Sequence, residues 1–105
     1  MDGAHKAYSV VISEEAVQSL LLHARFLAQV SEAVALRLVE EFGEKAKSLE
    51  EYPERNPWLS DPLAPEGKYR KLLTGKAHLL IYQAKGSTVY IDAVVDCRQD
   101  YSWLL

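Results

Sequence analysis

The chain has 105 residues, 49% of them hydrophobic, and 12 basic against 15 acidic side chains give a formal net charge of -3. That length suits one domain, expected over residues 1–105, and is too short for two comfortable ones. The apolar content supports a packed core and excludes a disordered chain, and the acidic balance excludes a protein whose whole surface grips nucleic acid.

Cys97 is the sole cysteine, so no internal disulfide forms and a reducing cytoplasm is expected. Met1 to Ala7 lacks the hydrophobic stretch of a signal peptide. The longest apolar run falls far below the roughly 20 residues that span a bilayer, so a soluble chain is expected. His5, His23 and His78 are scattered. No Cys/His group has zinc spacing, and neither a metal nor a cofactor is expected.

Lys6 to Ser13 reads as a strand, with Tyr8, Val10 and Ile12 on one face and Ala7 and Val11 on the other. Ser13 is placed to cap a helix, with Glu14 and Glu15 in its first turn, where the helix dipole favours acids. Val17, Leu20, Leu21, Ala24, Leu27 and Ala28 then recur at helical spacing. His23 and Arg25 fall off that stripe and are expected in solvent. Ser31 repeats the cap signal, and Ala35, Leu38, Val39, Phe42, Ala46 and Leu49 form a second stripe. Gly43 interrupts it at a cost of about 1 kcal/mol relative to alanine, which predicts a close helix crossing there. The short gap at Val30-Ser31 predicts an antiparallel helical hairpin, and Pro53 ends the second helix near Glu51.

Tyr52 to Glu66 is a loop that holds all four prolines, Pro53, Pro57, Pro62 and Pro65. A loop of this length is functional or docked by its apolar residues. Trp58 and Leu59 are the docking groups expected; the alternative makes Trp58 an aromatic for a partner.

Three strand-like runs follow, at Lys68 to Thr74, Ala77 to Ala84 and Thr88 to Asp96, separated by breaks that each hold a glycine. Connections this short predict an antiparallel meander. In the last run Val89, Ile91, Ala93 and Val95 alternate with Tyr90, Asp92, Val94 and Asp96, and the same period carries Arg98 onto the second face. The middle run is apolar on both sides and reads as a central strand. Lys68, Arg70, Lys71, Lys76 and Lys85 make this region basic. They form either a local basic strip or a solvated edge at which lysines discourage aggregation. Tyr101, Trp103, Leu104 and Leu105 make an apolar terminus that folds back on the sheet or meets a partner. The order β-α-α-β-β-β predicts an α+β sandwich: a helical hairpin packed on one face of a mostly antiparallel four-stranded sheet, with the other face open and concave.

At this point the chain resembles the RelE/ParE superfamily, the toxin half of bacterial toxin–antitoxin modules. The resemblance rests on Tyr69-Arg70 after the proline-containing loop, Leu79-Leu80-Ile81-Tyr82 in the central strand, Val89 to Val94 in the next, and Arg98-Gln99-Asp100-Tyr101 followed by Leu104-Leu105. It implies a cytoplasmic growth inhibitor, of a kind linked to plasmid stabilization, that a cognate antitoxin wraps and neutralises. Some branches poison DNA gyrase, and others cleave mRNA on the ribosome. In the nuclease branch, basic residues hold the scissile phosphate and a terminal aromatic or histidine assists proton transfer.

By that resemblance Arg70 and Arg98 are candidate phosphate ligands and Tyr101 the terminal aromatic. The nuclease branch has an arginine where Leu79 stands and a lysine where Leu72 stands. Cleavage by 2′-hydroxyl attack needs a base, an acid and cations at the phosphate. Histidine is the side chain that ordinarily titrates near neutrality, so His78 is the candidate base. Each of these residues also has a structural reading. His78 and Tyr101 can be packed side chains, Arg98 can pair with Asp96 or Asp100, and Arg70 can pair with an acid of the loop. Asp92 and Asp96 on the open face would repel phosphate. A gyrase-directed toxin is therefore favoured, with an mRNA endonuclease and a non-toxic interaction module as the alternatives.

Overall fold

In the computed structural model, residues 7–60, 65–75 and 77–96 are described. The order is β1 (Ser9–Ile12), α1 (Glu14–Ala28), α2 (Glu32–Ser48), a 3-10 turn (Pro53–Arg55), β2 (Arg70–Thr74), β3 (His78–Lys85) and β4 (Thr88–Asp96). The four strands form one sheet in the order β1-β4-β3-β2. The β2-β3-β4 meander is antiparallel, while β1 lies parallel to β4, with Val10 opposite Val89 and Ile12 opposite Ile91. This is the expected α+β arrangement.

Local chemistry sets the element ends. The hydroxyls of Ser13 and Ser31 accept hydrogen bonds from the backbone N–H groups of Ala16 (3.0 Å) and Val34 (3.3 Å), which is how an N-cap satisfies a helix's orphan donors. Helix α2 stops at Ser48, earlier than expected, and the fully buried Leu49 forms its C-cap. Tyr52 then turns the chain in the left-handed region at φ 52°. The first meander strand starts at Arg70 rather than Lys68, because Gly67 at φ 71° closes a turn in which the Lys68 N–H bonds the Pro65 carbonyl. Gly75 and Gly86, at φ 65° and 60°, make the two hairpin turns.

The core lies between the hairpin and the sheet. Ala16 and Leu20 of α1 and Leu38, Phe42 and Ala46 of α2 pack on Leu80 and Tyr82 of β3 and on Val89, Ile91 and Val94 of β4. Gly43 is exposed, and an added Cβ would meet no atom within 4 Å. It therefore marks no helix crossing, contrary to expectation.

The strict alternation expected along β4 is also broken. Ile81 pairs with Ala93 while Tyr82 pairs with Ile91, so Asp92 is an extra residue in the strand. A bulge of this kind reverses the facing of everything beyond it. Val94 therefore joins Val89 and Ile91 under the helices, and Ala93 and Val95 turn to the opposite face. Two hydroxyls of the α1 region anchor this kink. Ser13 Oγ donates to the Asp92 carbonyl at 3.1 Å, and Ser19 Oγ donates to the Val94 carbonyl at 2.8 Å.

Candidate functional site

The helix-free face of the sheet is apolar at its centre. Leu59, Ile81 and Val95 are buried there, and Tyr69, Leu79 and Ala93 pack around them. Residues opposed across a strand pair share a face. Leu73, half exposed at 50%, pairs with Leu79, and Lys71 pairs with Ile81, so both belong to this surface. Gln83 and Tyr90 pair farther along, and Gln83 Nε2 donates to Asp92 Oδ2 at 2.6 Å. By strand alternation Lys71 and Lys85 are cations of this face, and the Lys68 ammonium lies 5.2 Å from the centre of the Tyr69 ring at its edge. No described arginine or histidine shares it.

Arg70 lies on the other side of its strand and is held by the loop. Its Nη1 donates to the Asn56 carbonyl at 2.7 Å, and its guanidinium carbon sits 3.7 Å from the centre of the Trp58 ring. A planar cation over an indole is favourable. Trp58 bridges Arg70 in antiparallel fashion, flanked by Leu59 N–H to the Tyr69 carbonyl (2.7 Å) and Lys71 N–H to the Pro57 carbonyl (3.0 Å). Beneath this, Asn56 Nδ2 donates to the Tyr82 hydroxyl at 3.0 Å, and that hydroxyl donates to the Pro53 carbonyl. Burial raises the Tyr82 hydroxyl above its ordinary pKa, with only partial relief from Asn56, Arg70 and Arg55. Leu59 is thus the docking group expected in the loop. Trp58, 48% exposed, is fixed by Arg70 at the surface.

Tyr8, just before β1, closes the loop from the other end. Its hydroxyl donates to Glu54 Oε2 at 2.6 Å. The bond holds the Glu54 carboxyl below its ordinary pKa, helped by the Arg70 charge, and pushes the Tyr8 hydroxyl up.

His78 faces the helices, on the same side as its strand neighbours Leu80 and Tyr82. Its ring lies 4.9 Å from the ring of His23, centre to centre, with a tilt of 46°. His23 is accordingly half-buried against the sheet rather than in solvent as its off-stripe position predicts, and its Nδ1 is buried without a hydrogen-bond partner. Beside the pair, Leu27, Val34, Leu38, Arg37, Glu41 and His78 line a cavity of about 370 Å³.

Arg70 and His78 are not brought together. They pair with Tyr82 and Thr74 at opposite ends of the β2–β3 ladder, roughly 13 Å apart at the rise of a strand. Arg98 and Tyr101 lie outside the described residues, as do Cys97, the extension of the β4 alternation to Arg98, and the apolar terminus. Leu79 faces the open side and Leu72 the helical core.

Two helices laid on one face of a four-stranded sheet, the other face left apolar and open, make the frame of a small α+β domain. A family profile described as the ParE toxin of the type II toxin–antitoxin system parDE matches residues 10–101. The chain belongs to that family, and is a type II toxin component. Among solved structures it is similar to a chain of the chromosomal ParDE toxin–antitoxin system from P. aeruginosa, at 15% identity and a TM-score of 0.69, covering 86% of this chain and 96% of that one. That likeness is one of fold. Curated protein sequences give no significant match. No helix among the described residues is long and apolar enough to cross a membrane.

Proposed function

We propose that this toxin arrests growth by binding a protein target, DNA gyrase, and that a cognate antitoxin neutralises it by covering the open face of the sheet. The observation that carries the reading is the composition of that face. Leu79, Leu73, Ile81 and Val95 occupy it, with Lys68, Lys71 and Lys85 around this aliphatic centre. Phosphoryl chemistry needs cations convergent on the scissile phosphate, whereas an aliphatic centre with a polar rim is the anatomy of a protein interface. Arg70 is committed to Asn56 and Trp58, and His78 faces the helices.

The test is induction in a bacterium lacking the antitoxin, with replication and translation followed together, and addition of the purified full-length chain to gyrase in a supercoiling assay. Filamentation, DNA damage and loss of supercoiling are expected. Early loss of translation with cleaved mRNA and intact gyrase activity would overturn the reading in favour of an mRNA endonuclease. Arg98→Ala and Tyr101→Phe would then be the first variants to make. Soluble expression with no arrest would leave an interaction module of this fold.

A further inference from the structure

Strand β1 covers only half of its neighbour. It pairs with Thr88 to Ile91 of β4, so the rest of β4, Asp92 to Asp96, has no strand on that side among the described residues. The bulge is the cause. Two successive carbonyls, those of Ile91 and Asp92, face outward and accept from the Ser13 N–H (2.9 Å) and the Ser13 Oγ (3.1 Å). Helix α1 then runs above the open row in the direction of β4. Ser13 bonds the Asp92 carbonyl, Ser19 bonds the Val94 carbonyl, and His23 meets His78, the cross-strand partner of Asp96. Between helix and strand lies a groove of about 470 Å³, lined by Ser13, Glu15, Ser19 and Asp92 to Val95, a volume within the range of binding clefts. The N–H and C=O of a strand residue point to the same side, so the Val94 N–H faces the groove beside its carbonyl. That carbonyl has two lone pairs, and the Ser19 hydroxyl uses one of them.

We infer that this groove binds an extended, lysine- or arginine-bearing peptide segment of a partner protein, which adds to the outer edge of β4 as a strand and continues the β1 row. Strand addition at a sheet edge draws affinity from main-chain bonds and specificity from alternate side chains. The walls specify those side chains. The charged residues that line the groove are Glu15 and Asp92, both acidic. Asp92 is engaged by Gln83, so the exposed Glu15 selects the cation. Glu15, Ser19, Leu22 and Phe26 stand at i, i+4, i+7 and i+11, on one stripe of α1. Leu22 and Phe26, 64% and 68% exposed, carry the wall on past the groove as an apolar ledge. A helix rises about 1.5 Å per residue and a strand about 3.3 Å. A peptide cation opposite Glu15 therefore puts the second residue beyond it at Ser19. The fourth falls between Leu22 and Phe26, where a large apolar side chain is covered. The two intervening side chains turn to the open face beside Ala93 and Val95, which also favours apolar residues. The inference is independent of the toxin's target.

The test titrates the ¹⁵N-labelled full-length chain with the blocked peptide acetyl-KVTVL-amide and with its reverse, acetyl-LVTVK-amide, since a strand can add in either direction. One of the two should bind saturably at up to about 5 mM, a weak affinity for a short flexible peptide. The amides of Ser19, Val94 and Val95 should shift as it binds. Exchanging the peptide's lysine for glutamate should weaken binding about tenfold or more, and Glu15→Lys should reverse that preference. Leu22→Ser should weaken the lysine peptide about tenfold. Absence of saturable binding by both lysine peptides would overturn the inference. So would shifts confined to Leu73 and Leu79 on the open face, or a preference unchanged in Glu15→Lys. Contacts between the Trp103 ring and Val94 in the peptide-free chain would also overturn it, because the chain's own terminus would then fill the groove. Should Glu15→Lys fail to fold, the two peptides on the wild-type chain decide: equal binding of the lysine and glutamate forms refutes the site.

Discussion

Replacing Tyr82 by phenylalanine deletes one oxygen from the bond network that pins the loop to the sheet. The ring stays in place, since phenylalanine fills the same volume among the buried residues of the main core. What is lost is a donor to the Pro53 carbonyl and an acceptor for Asn56 Nδ2. Pro53 is fully buried, so its carbonyl has little access to water. A buried polar group left unpaired costs about 1–3 kcal/mol. Asn56 is half-buried and can recover part of its loss from solvent. The sum is a destabilisation of about 2 kcal/mol, or roughly 10 °C in Tm for a domain of this size. Urea unfolding measures it as a lower midpoint at unchanged slope. Asn56→Ala shares the bond, so the two substitutions together should cost less than the sum of each alone, with a coupling of at least about 0.5 kcal/mol. A Tyr82→Phe chain within about 0.5 kcal/mol of wild type would refute the claim that this hydroxyl anchors the loop.

Gly43→Ala should stabilise the chain by about 0.5–1 kcal/mol, because the site is helical and exposed and the added methyl meets nothing; urea titration checks it. Arg70→Lys should leave the fold intact and change the fluorescence of Trp58, since an ammonium cannot lie flat on the indole as the guanidinium does. Tyr8→Phe should alter the acid limb of stability. Glu54 is held below its ordinary pKa of 4.5 by the Tyr8 hydroxyl. The stabilisation from a depressed carboxyl is present above that value and is lost as pH falls through the folded-state pKa. The advantage of wild type over Tyr8→Phe should therefore be full at neutral pH and shrink below pH 4.5, as followed by thermal melts across the acid range. An advantage that persists unchanged at low pH would exclude the carboxylate as its origin.

Much of the fold is legible because its signals are local. Ser13 and Ser31 announce the helices through hydroxyls that bond three residues on. Gly75 and Gly86 announce the hairpins through a backbone region closed to most side chains. The features that escape sequence reading are set by contacts between distant elements. The parallel pairing of β1 with β4 joins the two ends of the described chain. The bulge at Asp92 depends on hydroxyls of Ser13 and Ser19, so a period-2 pattern read along β4 alone assigns Val94 to the wrong face. His23 reads as solvated on helical spacing, and nothing near it in the sequence signals that His78 will stack on it. The two histidines meet only through the packing of α1 on the sheet.

Strand β3 divides its side chains between the two faces of the sheet. Leu79 points to the open face, where it packs with Ile81 and Val95, while its neighbour His78 points to the helices and meets His23. Alternation along a strand separates adjacent side chains by the thickness of the sheet. Leu79→Lys therefore places a charge in the apolar centre of the open face and should weaken antitoxin binding. His78→Gln, on the helical side, should leave antitoxin binding unchanged. The loss of antitoxin binding in Leu79→Lys is expected to be large, because a charge buried in an aliphatic interface without a partner costs several kcal/mol. If Leu79→Lys folds and binds antitoxin as wild type does, the antitoxin does not cover this face. The aliphatic surface would then be left to the target.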